Sequence, residues 1–172
     1  MSTPIYHVLF LCTGNSARSI LAEAILNHLG RGRFKAFSAG SHPTGEVHPL
    51  ALAQLKVLGL PWEAARSKGW ESFTGEGAPR MDFVFTLCDK SHQEACAIGW
   101  PGDPITAHWG IPDPVAVAGT PEGKAHAFRL AFFQLQSRIT LFLALPLASI
   151  DRISLHQKLA QIGQQEDVAS RN

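Results

Sequence analysis

Cysteine is scarce in this chain: its 172 residues hold three, Cys12, Cys88 and Cys96. So small and odd a number excludes a secreted disulfide framework and reads as reduced thiols. Tyrosine is scarcer still, represented by Tyr6 alone. An excess of one charge is missing too, since 15 Lys+Arg against 14 Asp+Glu leave +1. Without a broad field, neither nucleic acid nor an anionic membrane is an expected partner, and any anion must be held by a local site. The longest apolar stretch, Ile139 to Leu145, is too short to span a bilayer and meets Pro146. Met1-Ser2-Thr3-Pro4 lacks the charged and apolar regions of a signal peptide, so the expected compartment is the cytoplasm. A zinc site from the cysteines and His108 has no C-x2-C or H-x3-H spacing behind it, and no metal is expected.

What is present is an alternation of strand and helix patterns. Tyr6 to Leu11 is a nearly continuous apolar run, the mark of a strand buried on both faces. Ile20, Leu21, Ala24, Ile25 and Leu29 recur at helical spacing until Gly30 and Gly32, so a helix starts just after Arg18. Phe34 to Ser38 reads as a second strand, and Pro49 opens a helix ending near Gly59. Phe83 to Leu87 is a third strand, Ile105 to Trp109 a fourth, and Glu122 to Leu143 the longest helix. This order predicts one α/β domain, a small doubly wound parallel sheet of about four strands flanked by helices. We expect it to occupy residues 1–148. Residues 149–172 form an extension, with a short helix over Ser149 to Ile162 and a frayed polar tail.

Between the first strand and the first helix lies Cys12-Thr13-Gly14-Asn15-Ser16-Ala17-Arg18-Ser19. A loop leading from a parallel strand into a helix N-terminus gathers unpaired N–H groups and the positive end of the helix dipole, which suits a tetrahedral anion. Gly14 permits the tight path. Arg18 can grip two oxygens of phosphate or arsenate with its planar fork. The same field favours a thiolate at Cys12 and makes it a nucleophile, Ser19 can donate to that sulfur, and Asn15 can brace the loop. The plainer alternative has Cys12 packing at a strand end and Arg18 in a surface pair. The coincidence of glycine, arginine spacing and context argues against it. A nucleotide-binding P-loop would need a Gly-Lys-Ser/Thr ending that is absent here.

Cys12 to Ser19 resembles the signature loop of the low-molecular-weight protein tyrosine phosphatases and of the arsenate reductases that share their fold. The similarity runs from about Tyr6 to about Leu143 and includes the Ser38-Ala39-Gly40 turn. It departs at Ala17, where the family often has a second cysteine. The resemblance implies that Cys12 is the nucleophile, that Thr13, Gly14, Asn15, Ser16, Ala17, Arg18 and Ser19 hold the oxyanion, and that Asp113 of Ile111-Pro112-Asp113-Pro114 is the acid. His108-Trp109-Gly110 just upstream supports this over an Asp-Pro turn without chemistry. The resemblance also implies that the family's potassium position falls at Asn15, Glu23, Ser38 and Lys68. Lys68 stands where an aspartate is usual, so either its ammonium takes the ion's place and pairs with Glu23 or it is a plain solvated lysine.

Cys12, Cys88 and Asp113 each follow the carboxyl end of an expected strand, and in a doubly wound sheet these ends share one edge. A phosphatase needs only the nucleophile and the acid. A reductase also needs a thiol to attack the Cys12 adduct, and Cys88 with Cys96 resembles that relay, against the bland reading of two buried, inert thiols. Val115-Ala116 follows the Asp-Pro pair where phosphatases tend to carry tyrosines. The resemblance therefore implies an arsenate reductase with no bound cofactor, re-reduced by thioredoxin or a glutathione and glutaredoxin couple. A phosphatase acting on tyrosine or small phosphate esters is the alternative, and a non-enzymatic oxyanion sensor a third. If residues 89 to 95 are helical, Cys88 and Cys96 lie about 12 Å apart at ~1.5 Å per residue. A disulfide spans about 4.4–6.8 Å, so forming one there would unwind the segment.

Overall fold

The computed structural model describes residues 4–95, 98 and 100–164. Its architecture follows from the alternation within β1 (Tyr6–Cys12). Val8, Phe10 and Cys12 point into one apolar core and Leu9 and Leu11 into another, so this strand is buried on both faces. β1 is flanked by β2 (Phe34–Gly40) and β3 (Phe83–Thr86), and β4 (Ile105–His108) pairs with β3. The sheet is parallel throughout, in the order β2-β1-β3-β4, as the pattern of elements predicts.

The larger core lies between the sheet and the helices α1 (Arg18–Leu29), α2 (Pro49–Val57), α4 (Pro121–Leu143) and α5 (Arg152–Gly163). The smaller one is closed by Phe73, Met81, Trp100 and Ala95, the last residue of α3 (Asp89–Ala95). Strand ends differ from expectation by one or two residues. β2 runs on to Gly40 because it stays paired with β1 up to Cys12 and Gly40, and such pairing leaves no mark in hydropathy. Helix starts are set by local chemistry. Thr120 accepts from Gly123 N–H at 3.1 Å and Asp151 from Ser154 N–H at 2.8 Å, so α4 and α5 begin at the next residue. At the other end of α1, Gly30 N–H bonds Leu26 O at 2.7 Å, and Gly32 takes φ 82° to turn the chain into β2.

α5 packs into the main core through Leu155, Leu159 and Ile162. Trp109, fully buried, stacks on Phe85 with ring centroids 3.9 Å apart and donates its indole N–H to Leu159 O at 3.0 Å. Among the described residues no helix is long and apolar enough to cross a membrane. The expectations for Cys96 and for the tail from residue 165 lie outside the described residues.

Candidate active site

The loop from Cys12 to Ser19 leaves β1 at its carboxyl end and enters α1. Its carbonyls are taken up from outside: those of Cys12, Thr13, Gly14 and Ser16 accept the backbone N–H groups of Ser41, His42, Thr44 and His48. The oxygens that would repel an anion are thereby engaged by the β2–α2 connection, which leaves the loop N–H groups other than that of Asn15 to hold the ligand. Ala17, the residue before α1, offers no side-chain cap, so side chains do not consume the helix's first donors.

Asn15 shapes the loop. It is fully buried and adopts φ 47°, a left-handed conformation that asparagine tolerates better than most residues. Its N–H donates to Cys12 Sγ at 3.2 Å, its Nδ2 to Ser19 Oγ at 2.7 Å, and its Oδ1 accepts Lys68 N–H at 2.8 Å. Ser19 Oγ in turn lies 2.8 Å from Cys12 Sγ. Since Asn15 fills the serine's acceptor side, the serine proton is free for the sulfur. Gly40 closes against this loop, for a Cβ there would come within 3.0 Å of Asn15 N and still nearer Thr13 O. That close approach is why Ser38-Ala39-Gly40, which proves to be the end of β2 and not a turn, finishes in glycine.

Arg18 is held by the acid's arm of the site. Its Nη1 donates to Ile111 O at 3.1 Å and Leu87 O at 3.4 Å, and its Nη2 lies 3.6 Å from Asp113 Oδ2. Asp113 remains 40% exposed, open enough to exchange a proton with a ligand or water, while its Oδ1 accepts Val115 N–H at 3.0 Å. Cys88 comes to the same edge: its Sγ lies 3.2 Å from Oγ1 of Thr13, the residue after Cys12. Burial pushes the Cys88 thiol up, but the Ser91 hydroxyl, the Thr13 hydroxyl, the Ser91 N–H and the Arg18 charge together hold it below the usual thiol range. A cavity of about 420 Å³ is lined by Arg18, Cys88, Asp89, His108, Ile111 and Pro112. Thus Arg18 meets Asp113, and Cys88 meets Thr13 of the loop that Cys12 opens at the carboxyl end of β1.

Lys68 does not pair directly with Glu23. Its ammonium donates to Arg66 O at 3.0 Å and Ser38 Oγ at 3.4 Å, and Ser38 Oγ donates to Glu23 Oε2 at 2.7 Å, so a hydroxyl stands between the charges. Burial pushes the Glu23 carboxyl up, with Lys68 and Ser38 opposing. With an ammonium already on Ser38, these residues do not fit a second cation such as potassium.

Sequence reasoning missed the Ser41–His48 segment, whose contribution is through backbone N–H groups without a side-chain signature. It also missed the polar tie between α3 and the sheet. His108 bridges Thr86 Oγ1 at 2.8 Å and Asp89 Oδ1 at 2.9 Å, and Thr86 Oγ1 also meets His92 Nδ1 at 3.2 Å. These residues sit at 22- and 19-residue separations, which no local motif reports.

Residues 7–152 match the family model for low molecular weight phosphotyrosine protein phosphatase. The chain is 32% identical over 135 residues to an arsenate reductase of Halalkalibacterium halodurans, covering 78% of this chain and 93% of the relative. It is 30% identical over 111 residues to a glutaredoxin arsenate reductase of Synechocystis sp., covering 62% and 77%. A solved thioredoxin-dependent arsenate reductase of Corynebacterium glutamicum superposes with a TM-score of 0.56 at 26% identity, covering 83% of this chain and 65% of that one. With the anion loop, the parallel sheet and these relatives in agreement, the chain belongs to the low molecular weight phosphotyrosine protein phosphatase family, on the branch of the arsenate reductases.

Proposed function

We propose that this chain reduces arsenate to arsenite. The observation that carries the reading is the contact of the Cys88 thiol, held below its usual range, with Thr13 of the anion loop. A phosphatase has no use for a second activated thiol there. Arsenate is bound by the loop N–H groups and the Arg18 guanidinium, and Cys12 attacks arsenic while Asp113 protonates the oxygen that leaves as water. Cys88 then attacks the sulfur of Cys12 and arsenite departs, leaving a Cys12–Cys88 disulfide. Cys96 exchanges into that bond, and the resulting Cys88–Cys96 disulfide is reduced from outside by thioredoxin or a glutathione and glutaredoxin couple. No bound cofactor or metal takes part in this route.

The chemistry belongs to residues 1–148, with 149–172 as an appended extension, and its compartment is the cytoplasm, where thiol reductants keep all three cysteines reduced. Hydrolysis of phosphate esters is the second reading, supported by Cys12, Arg18 and Asp113, which would serve it equally. Arsenite release and ester hydrolysis measured side by side, with each reductant, separate the two. Cys12→Ser should abolish both, because a serine hydroxyl in this loop stays protonated. Cys88→Ser should stop arsenite release and spare any ester hydrolysis. Sustained arsenite release by either variant refutes the reading.

A further inference from the structure

We propose that Ser91 is a further catalytic residue of the disulfide step, its hydroxyl and amide holding the attacking sulfur of Cys88 as thiolate. The inference rests on the relay read above for Cys88 and adds the group that arms it. Ser91 is fully buried in the first turn of α3. Its Oγ lies 3.1 Å from Cys88 Sγ, 3.0 Å from Cys88 O and 3.4 Å from Leu11 O, and its N–H points at Cys88 Sγ at 3.4 Å. One hydroxyl proton thus has three acceptors within reach.

The protonation of Cys88 decides among them. As a thiol, Cys88 donates to Ser91 Oγ while the serine proton goes to a carbonyl. Once the sulfur has given its proton to solvent, the hydroxyl turns to the charged acceptor, joined by Thr13 Oγ1 at 3.2 Å on its other side. In the step that follows, the Cys88 thiolate attacks Cys12 Sγ. The S–S bond forms, the bond from Cys12 Sγ to arsenic breaks, and its electron pair leaves on arsenic. Two thiolates become one disulfide as As(V) becomes As(III). The disulfide sulfur is uncharged and a poor acceptor, so the serine proton returns to the carbonyls, and α3 is released from the sulfur as soon as the sulfur has reacted.

The size of the effect follows from two opposing trends. Below the thiol's titration midpoint, each pH unit by which losing the hydroxyl raises that midpoint cuts the thiolate fraction about tenfold, and the more basic thiolate regains about threefold in nucleophilicity. The net loss is about threefold per unit on that side of the midpoint. Above the midpoint the loss disappears.

The test uses the full chain carrying Cys96→Ser, so that the reaction stops at the Cys12–Cys88 bond. Bond formation with excess arsenate is followed from pH 6 to pH 10 for the parent, Ser91→Ala and Ser91→Thr. The alkylation midpoint of Cys88 is read with iodoacetamide in the Cys12→Ser/Cys96→Ser background. Ser91→Ala should raise that midpoint and slow bond formation near neutral pH but not at the alkaline end, while Ser91→Thr should restore both. An unchanged midpoint, or a rate lowered equally at every pH, overturns the role of Ser91 and leaves the relay intact. A parent that forms no Cys12–Cys88 bond with arsenate overturns the relay and Ser91's part in it.

Discussion

Replacing Asn15 tests how the anion loop is built. In Asn15→Ala, Lys68 N–H loses an acceptor 2.8 Å away and Ser19 Oγ a donor 2.7 Å away, both around a residue of zero exposure. A buried polar group left unpaired costs about 1–3 kcal/mol. Lys68 is only half-buried, which favours the lower end for that bond. Alanine at φ 47° adds about 1 kcal/mol of backbone strain. The expected loss in urea unfolding is therefore about 3–5 kcal/mol, with an unchanged m-value. Asn15→Gly breaks the same bonds without the strain and should be about 1 kcal/mol more stable than alanine. Asn15→Asp keeps the acceptor for Lys68 N–H but turns a negative charge towards Ser19 and the anion loop. It should fold, yet bind arsenate or phosphate at least about tenfold more weakly by calorimetry, a modest share of what two like charges about 4 Å apart exert near a protein surface. An alanine variant within about 0.5 kcal/mol of the parent, or a glycine variant less stable than alanine, would refute this account.

The seven residues of α3 rise about 10.5 Å at ~1.5 Å each, so a Cys88–Cys96 disulfide requires the helix to open. Amides of residues 89 to 95 should exchange with solvent at least about tenfold faster in the oxidised protein, and equal exchange in the two redox states would sink the idea. Replacing sodium by potassium should leave arsenite release unchanged, since the Lys68 ammonium already sits on Ser38, and strong activation by potassium would count against it. The carboxyl of Glu23 is raised in the folded state, so its contribution is intact below about pH 4.5 and is lost as pH rises through the folded value. Lys68 offsets that loss, so Lys68→Met should destabilise the protein more at pH 8 than at pH 5. Equal destabilisation at both pH values would show that the Lys68 charge does not act on Glu23.

The sheet, its helices and the edge that gathers Cys12, Cys88 and Asp113 were legible because each rests on a local signal. Apolar runs mark β1 and β3, helical spacing marks α1, and the cysteine-to-arginine interval marks the loop. What stayed hidden depends on partners distant in the chain. Nothing in Ser41, His42 or Thr44 announces that their amides engage the loop carbonyls, because any residue but proline has that donor. The expected Lys68–Glu23 pair proved to be bridged by Ser38, since sequence gives the residues at a site and not the order in which they touch. Ser91 reaches Cys88 only because α3 turns it back onto the residue three before it, a matter of helix phase.

Of the three parts that carry the site's groups, two are held by apolar packing and one by polar contacts, and the difference matches what each must do. α1 buries Ile20, Leu21, Ile25 and Leu26, worth roughly 6–12 kcal/mol of gross apolar burial, and so fixes the loop and Arg18. The acid's arm is clamped as firmly. Trp109 is buried and bonded to Leu159 of α5, and Gly163 packs so tightly on the His108 carbonyl that a Cβ there would collide with it. α5 begins where the family match ends, at residue 152, so an element at the limit of that match steadies the approach to Asp113. α3 is different. It buries only Ser91 and Ala95, and its hold on the sheet is polar: Asp89 on His108, His92 on Thr86, Ser91 on Leu11 O. Each such bond contributes about 0.5–1.5 kcal/mol net and can be exchanged for water, whereas buried leucines cannot. The helix that must open for a Cys88–Cys96 disulfide is thus the one held by replaceable contacts, and its Ser91 contact to the Cys88 sulfur is weakened by the reaction that precedes the opening.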